Sequence, residues 1–491
     1  MDEIYLTSEE LAEYPVEEFI GKWTFNNKTC GTGKSRKIYE IIEYGIVHEM
    51  NMMVCLPTHD NIEEFMSRMT DHRDQAIQLW GKTAYCQLGY DANAYLIGCK
   101  DCTHKASCLY IGQFAIAKEI PVIFIVPHHL YLVQEYDPDI LIIDESIEKL
   151  AHKGIKIPER LQPQARLDRV NCNTCICRSK CSDWRKEYRG QRGCYFTLYK
   201  TLEMDDFEPE SLEEHFFKYN YDTLENIYAV EDDNGNHVII GDTRLDFLQQ
   251  VETVIFNCAT TRISVAEKMF NREFEIVILD GEKLENRIFL LEDLMTKAKT
   301  QEELENAEDY FSVLNIPLND KTLIYTKKEF ENYFCEKFPE VKTGHYGDSR
   351  GYNKHEDCEN VIVFGRYGLT VAVQLLLELR GYDSEEVEWF EKAEELQAMH
   401  RIRPIRDKNK KVYLLSNSLK DVIEPTDYIN LNSLKIGTEM LNGEFKDLTK
   451  SEIYEKIKGK MKDKIRAIDT LETAGKINSM KGRGKKLNII D

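Results

Sequence analysis

The chain has 491 residues, of which 42% are hydrophobic and 31% charged, and its formal net charge is −22. This length predicts two or three domains with separate cores, and the charge excludes a uniformly basic nucleic-acid coat but not a local basic channel. The apolar runs are far shorter than the roughly 20 residues that cross a bilayer, and the N-terminus lacks the pattern of a signal peptide. We therefore expect an intracellular, cytoplasmic protein without membrane contact.

The first predicted elements follow the order of a parallel α/β sheet. "WTF" precedes a glycine-containing loop, the amphipathic stretch "SRKIYEIIEYGIVHE" follows, and "MNMMVCLPT" is a buried strand. Further buried strands are expected in "VIFIVP", "DILIIDES" and "TVIFNCATT". The order strand, loop, helix, strand predicts an α/β domain over residues 1–265.

A second strand series after residue 266 predicts another α/β domain over 266–445. Its strands are expected in "FEIVILD", "KTLIYT", "ENVIVFG" and "KKVYLLS". Two cysteine-bearing insertions are predicted in the first domain, a short one at 81–112 and a charged, largely helical one at 147–245. Residues 446–491 are expected to form a basic C-terminal helix and tail.

The stretch "NKTCGTGKS" at 27–35 ends like a phosphate-binding loop, although Lys28 stands where the general pattern has its first glycine. Glycines allow backbone N–H groups to surround phosphate oxygens, Lys34 would reach the β- and γ-phosphates, and Ser35 would bind Mg²⁺. The alternative is a glycine-rich turn before a helix. The predicted ATP-binding residues are Thr29, Gly31, Thr32, Gly33, Lys34 and Ser35.

Two further segments complete a candidate ATPase site. Asp144 and Glu145 follow an apolar strand, where the first would hold Mg²⁺ and the second would polarise the attacking water. "QAMHRIRPIR" supplies Gln397, Arg401 and Arg403, and an arginine from the second domain would stabilise the γ-phosphate. A basic surface turn is the alternative for this last segment.

The ordered set of motifs resembles a superfamily 2 helicase, with two RecA-like domains. "TCGTGKS" is similar to motif I, "LPTHDNIEEF" to motif Ia, "DES" to the DEAD/DEAH box, "NCATT" to motif III, "LIYTKK" to motif IV and "QAMHRIRP" to motif VI. The stretch "GHYGDSRGYNKHEDCENVIVFGR" resembles motif V. The resemblance covers roughly residues 20–70, 100–146 and 250–420.

Four positions depart from the motifs of these helicases. Ser146 ends the DE box, Cys258 replaces a serine, His400 replaces a glycine, and Pro404 falls where a second arginine is usual. Arg403 or Arg406 would compensate for that arginine.

Cysteines lie between motif I and the DE box in the layout C-x12-C-x2-C-x5-C, which is compatible with four-thiolate metal binding. They are Cys86, Cys99, Cys102 and Cys108. Helicases of the XPD/DinG type carry a [4Fe–4S] domain at this place, so the resemblance favours that cluster. Zn²⁺ and unmetallated buried thiols remain alternatives, because thiolates serve both metals.

A second cysteine group occupies the place of that family's arch domain. Its five thiols include Cys177 and exceed the four that one zinc takes, so either one thiol is spare or the metal is a cluster. We predict a structural zinc site; its ligands are Cys172, Cys175, Cys181 and Cys194. The isolated cysteines are expected to be small buried hydrophobic residues; they are Cys30, Cys55, Cys258, Cys335 and Cys358.

The function that this resemblance implies is an ATP-dependent DNA helicase that moves 5′→3′ along single-stranded or forked DNA, in replication or repair and together with replication proteins. An ATPase that remodels nucleoprotein without unwinding is an alternative. A regulatory module with a decayed nucleotide site is another. The compact size fits a stand-alone replication helicase of a phage, another virus or a mobile element, which would act in the host cell.

Overall fold

The computed structural model describes residues 2–29, 32–86, 102–144, 152–158, 224–231, 237–243, 245–281, 284–347, 355–369, 381–443 and 447–478, with scattered positions within 208–221, 374–377 and 445–490. These residues form two α/β lobes, each built around one parallel sheet, as the sequence predicts. In the described part of the chain, no helix is both long and apolar enough to cross a membrane.

The first lobe contains an eight-stranded parallel sheet with the order β1-β11-β2-β10-β6-β3-β5-β4. Its strands are β1 (Asp2–Leu6), β2 (Trp23–Asn26), β3 (Met52–Cys55), β4 (Ala76–Gln78), β5 (Val122–Ile125), β6 (Ile140–Asp144), β10 (Thr253–Asn257) and β11 (Ile276–Asp280). The central strands are buried along almost their whole length, as expected where helices cover both faces.

Helices cover both faces of this sheet. They are α1 (Ser8–Glu13), α2 (Lys34–Val47), α3 (His59–Arg68), α4 (Lys82–Tyr85), α5 (Leu109–Ala117), α6 (Val133–Tyr136) and α7 (Ile263–Phe270). All the strands are parallel, so their carboxyl ends lie at one edge of the sheet. The last residues of β2, β6, β10 and β11 therefore lie at that edge, which is where α/β sheets bind ligands.

The prediction that "FEIVILD" opens the second domain is wrong. β11 follows α7 and pairs with β1 and β2 of the first sheet, so the first lobe extends to at least Asp280. An apolar strand shows that it is buried but not which sheet it joins.

Three described strands of the 147–245 insertion form an antiparallel sheet in the order β7-β9-β8: β7 (His152–Lys156), β8 (Leu224–Glu231) and β9 (His237–Thr243). The prediction of a largely helical insertion is therefore wrong for these residues. The sequence Asn234-Gly235 between β8 and β9 is a strong hairpin signal that the charge of this region obscured.

The second lobe has a six-stranded parallel sheet in the order β14-β13-β15-β16-β12-β17. Its strands are β12 (Arg287–Leu291), β13 (Thr322–Thr326), β14 (Lys342–His345), β15 (Asn360–Phe364), β16 (Lys411–Leu415) and β17 (Asp427–Ile429). Its helices are α8 (Lys297–Glu303), α9 (Ala307–Val313), α10 (Lys328–Lys337), α11 (Ser384–His400), α12 (Leu431–Asn442), α13 (Lys450–Lys456) and α14 (Met461–Thr473). The predicted strands "KTLIYT", "ENVIVFG" and "KKVYLLS" are confirmed.

The C-terminal segment belongs to the second lobe and is not a separate basic helix. Ile453 of α13 and Leu471 of α14 are fully buried in the same core as β13 and α12. The two helices are separated at Gly459, whose φ of 124° is open to glycine but costly for other residues. The described residues of 446–478 therefore help to fold the lobe.

Candidate nucleotide site

The phosphate-loop residues lie between β2 and α2, as the sequence predicts. Gly33 has a φ of 91°, a left-handed conformation that favours glycine, and it caps α2. The Thr32 hydroxyl donates to the Thr29 carbonyl oxygen at 2.7 Å, and Ser35 is exposed in the first turn of the helix. Cys30 and Gly31 lie outside the described residues. The N-terminus of α2 thus faces the loop, where a helix favours anions.

Lys34 is almost fully buried, and its Nζ donates to the carbonyl oxygen of Lys28. Lys28 is itself completely buried. Its ammonium donates to the Leu6 carbonyl oxygen and forms an ion pair with Asp280 at 3.0 Å. The residue that replaces the first glycine of the general pattern therefore has a structural role beneath the loop.

Asp280 is a site residue that the sequence reasoning missed. It ends β11, and its carboxylate accepts hydrogen bonds from the Thr29 hydroxyl and from the Thr29 backbone N–H, the latter at 2.5 Å. The sequence does contain a signal for this residue, because Asp280 directly follows the apolar run "IVIL" in the same way that Asp144 follows "ILII". The sequence pattern places this strand in the second domain, and Asp280 is therefore absent from the predicted site.

Asp144 ends β6 at the same edge of the sheet. It is in register with Asn257 of β10, which is in register with Asn26 of β2. Two strand spacings of roughly 4.8 Å place its backbone about 10 Å from the start of the loop. Asp144 therefore ends at the same sheet edge as the loop that leads to Ser35, and carboxylate and hydroxyl oxygens are the kind of ligand that Mg²⁺ prefers. Glu145 and Ser146 lie outside the described residues.

The motif III segment after β10 connects the loop to the second lobe. The side-chain amide of Asn27 donates to the carbonyl oxygens of Cys258 and Thr261 at 2.7 and 2.8 Å. Across the cleft, the Gln397 amide donates to the Thr260 hydroxyl at 3.0 Å. The predicted residue Gln397 therefore lies against the motif III segment of the first lobe.

The remaining motif VI residues separate into two groups. Arg401 is buried and lies close enough to His400 to affect its titration, as do Lys34 and Asp280 of the first lobe. Burial is the main reason why the pKa of His400 falls to about 4, so this imidazole is neutral near pH 7. Arg403 instead forms an ion pair with Glu356 of the second lobe at 2.9 Å. The structure thus brings His400, the residue before Arg401, near the lysine of the phosphate loop, whereas Arg403 is paired within the second lobe.

The predicted metal ligands are only partly described. Cys86, Cys102 and Cys108 are free, half-buried thiols, and Cys99 lies outside the described residues. Among the residues that the structure describes, no group of three or more metal-ligating side chains occurs, so the fit to a metal or cluster is not established. The second set, Cys172 to Cys194, lies wholly outside them.

The isolated cysteines follow the prediction with one exception. The buried ones are Cys55, Cys258 and Cys358. Cys335 is exposed on α10, where its thiol contacts the Thr343 hydroxyl at 3.0 Å, so the prediction of burial is wrong there. Cys30 lies outside the described residues.

A comparison with solved structures finds the same fold in XPD. The structure "XPD_APO" is 12% identical to this chain, the match covers 86% of this chain and 100% of that chain, and the TM-score is 0.50. This likeness shows the fold, two RecA-like lobes. The sequence matches no family model and no curated protein.

Two further solved structures match with lower TM-scores. "Structure of S. tokodaii Xpd4" has a TM-score of 0.47 and 12% identity, with 86% of this chain and 99% of that chain covered. "DEAD-box helicase Mss116 bound to ssRNA and UDP-BeF" has a TM-score of 0.41 and 11% identity, with 95% and 80% covered.

Proposed function

We propose that this chain is an ATP-dependent DNA helicase or translocase of superfamily 2, acting 5′→3′ in replication or repair. The observation that carries the proposal is the cleft between the lobes. There the phosphate loop of the first lobe lies beside motif III, and Thr260 of that motif bonds to Gln397 of the second lobe. An ATPase that couples hydrolysis to lobe movement requires these groups on opposite sides of the nucleotide.

Each side chain of the cleft has a role in this proposal. The backbone of Thr32 and Gly33 would bind phosphate oxygens, and Lys34 would exchange the Lys28 carbonyl oxygen for the β- and γ-phosphates. Ser35 and Asp144 would hold Mg²⁺, which offsets phosphate charge when bound. Glu145 would orient the attacking water, and Arg401 would stabilise the charge that develops on the γ-phosphate.

The proposed partner is single-stranded or forked DNA, with replication proteins as further partners. The choice of DNA and the 5′→3′ direction rest on the resemblance to the XPD/DinG type. Motif Ia begins directly after β3, and Thr58 caps α3 there by accepting from the Asn61 N–H at 3.2 Å. A helix N-terminus at the carboxyl edge of the sheet is suited to bind a backbone phosphate.

The test compares ATP hydrolysis, with and without single-stranded DNA, and unwinding of 5′-tailed and 3′-tailed duplexes. We expect DNA-stimulated hydrolysis and unwinding from 5′ tails, both lost in Lys34→Ala. Lys37→Met is the control, because Lys37 is equally buried on α2 but bonds to the Ala12 and Tyr14 carbonyl oxygens. Unwinding from 3′ tails alone contradicts the direction, and stimulated hydrolysis without unwinding supports the remodelling alternative.

The metal is tested separately from the activity. We propose that Cys86, Cys99, Cys102 and Cys108 bind a [4Fe–4S] cluster, with Zn²⁺ as the alternative, on the basis of their spacing. A brown protein with a broad visible absorption band and bound iron supports the cluster. A colourless protein that contains only zinc contradicts it.

A further inference from the structure

Lys28 occupies an unusual place for a lysine. Its side chain is completely buried, at a loop position where the general phosphate-loop pattern has a glycine. A buried ammonium is costly unless it is paired and hydrogen-bonded. The Lys28 ammonium has these partners in the Asp280 carboxylate, at 3.0 Å, and the Leu6 carbonyl oxygen. A carboxylate from another strand therefore stabilises the buried ammonium.

Asp280 also holds the next residue of the loop. Its second carboxylate oxygen accepts from both the backbone N–H and the hydroxyl of Thr29. One carboxylate therefore fixes two consecutive loop residues to the end of β11. Charge-assisted hydrogen bonds of this kind are shorter and stronger than neutral ones.

The network continues to the lysine that would bind the nucleotide. The carbonyl oxygen of Lys28 accepts from the Lys34 ammonium, and the carbonyl oxygen of Thr29 accepts from the Thr32 hydroxyl at 2.7 Å. The two residues that Asp280 holds are thus the two that hold the far side of the loop. A shift of Asp280 would therefore move Lys34 and Thr32, even though the Asp280 side chain itself does not bind the nucleotide.

The same carboxylate faces the second lobe. His400, at the end of α11, is buried and lies within electrostatic range of both Asp280 and Lys34. Asp280 and Lys34 therefore both lie on the side of the first lobe that the motif VI segment approaches.

We propose that Asp280 is a positioning residue of the nucleotide site, which acts through Lys28 and Thr29 to set the place of the Lys34 ammonium. Lys28 and Asp280 together hold the start of the loop in place by charge. The inference rests on the proposed ATPase function. It adds a carboxylate that lies outside all the helicase-like motifs of the sequence.

The test measures kcat and KM for ATP, and the affinity for a fluorescent N-methylanthraniloyl ADP, in Asp280→Asn. Loss of a charge-assisted contact should raise KM and weaken nucleotide binding about tenfold, with kcat changed less than about threefold, because Lys34 contacts phosphate in both ground and transition states. The matched control is Glu275→Gln. Glu275 precedes the same strand and accepts from the Trp23 N–H at the opposite end of β2.

The possible results distinguish a wrong role for Asp280 from a wrong ATPase function for the chain. An unchanged KM in Asp280→Asn, or an equal rise in Glu275→Gln, overturns the inference while hydrolysis by the unsubstituted chain still supports the ATPase. No nucleotide binding and no hydrolysis by the unsubstituted chain overturns the proposed function. If Asp280→Asn does not fold, Thr29→Val tests the same contact by removing one hydroxyl, with an expected rise in KM of about threefold.

Discussion

Two neighbouring arginines at the end of α11 have different surroundings. Arg401 is buried and directly follows His400, which lies within electrostatic range of Lys34 and Asp280. Arg403 has a φ of 54° and pairs with Glu356 at 2.9 Å. An arginine that meets the γ-phosphate contributes mainly in the transition state. We therefore expect Arg401, and not Arg403, to take that role in the proposed ATPase.

We expect Arg401→Lys to lower kcat for ATP hydrolysis at least about 100-fold with KM changed less than about threefold, because a lysine cannot reproduce the bidentate guanidinium contact. Steady-state kinetics at saturating DNA measure both constants. Arg403→Lys is the matched control and should keep kcat within about threefold, since its Glu356 partner accepts either cation. Equal losses in the two variants would contradict the assignment.

A buried carboxylate on α11 predicts a pH effect on stability. Burial raises the pKa of Glu395 to about 7 from 4.5, although hydrogen bonds from the Ser418 hydroxyl and the Tyr367 N–H oppose the shift. Between these values the folded chain keeps a proton that the unfolded chain has lost. The free energy of unfolding should therefore fall as pH rises through this window, by up to about 3 kcal/mol.

Glu395→Gln removes this titration and keeps the shape of the side chain. We expect the thermal midpoint of the unsubstituted chain, relative to this variant, to fall between pH 5 and pH 7.5 and to change little above that. Thermal unfolding followed by circular dichroism at several pH values measures the difference. Parallel profiles for the two proteins would show that Glu395 titrates in its ordinary range.

At the scale of elements, the sequence predicts those strands and loops that have a local pattern of burial or glycine placement. The strands "WTF" and "KTLIYT" and the loop before α2 were found because burial and glycine placement are local signals. The sheet that β11 joins was not, because strand order is set by tertiary packing. Asp280 was missed for the same reason.

The helix α11 shows a second limit of sequence patterns. Its repeated acidic residues predict a solvated face, yet the carboxylates of Glu391, Glu394 and Glu395 are buried. They accept from the backbone N–H groups of Leu369, Gly347 and Tyr367, each at 2.9 Å. These carboxylates replace missing backbone partners of nearby loops, and no periodicity in the helix itself reveals such partners.

For the whole molecule, we consider the surface on which α7 of the first lobe meets α11 of the second lobe. Lys268 of α7 pairs with the buried carboxylate of Glu386 on α11 at 2.5 Å. Arg262 lies 4.4 Å from the Trp389 ring and pairs with Glu385 at 3.4 Å. An apolar cluster lies beneath these pairs; its members are Val265, Leu377, Tyr382, Val387 and Phe390. The lobes are thus in direct contact through α7 and α11.

We expect the double variant Arg262→Ala/Lys268→Ala to shift the lobes toward an open arrangement. It leaves the Glu386 carboxylate buried without its cation and removes a cation–π contact, together about 1–2 kcal/mol, or about five- to thirtyfold in the closed population. Small-angle scattering should show a larger radius of gyration. DNA unwinding should fall more than ATP hydrolysis, because lobe movement and chemistry are then less tightly coupled.

Arg287→Ala provides the matched control for this surface. Arg287 also pairs with a carboxylate, Asp427 at 3.2 Å, and lies 5.1 Å from an aromatic ring, that of Phe289, but all three residues belong to the second lobe. Its loss should lower stability slightly and leave both the radius of gyration and the ratio of unwinding to hydrolysis unchanged. If the double variant behaves in the same way, the contact between α7 and α11 packs the lobes without controlling their movement.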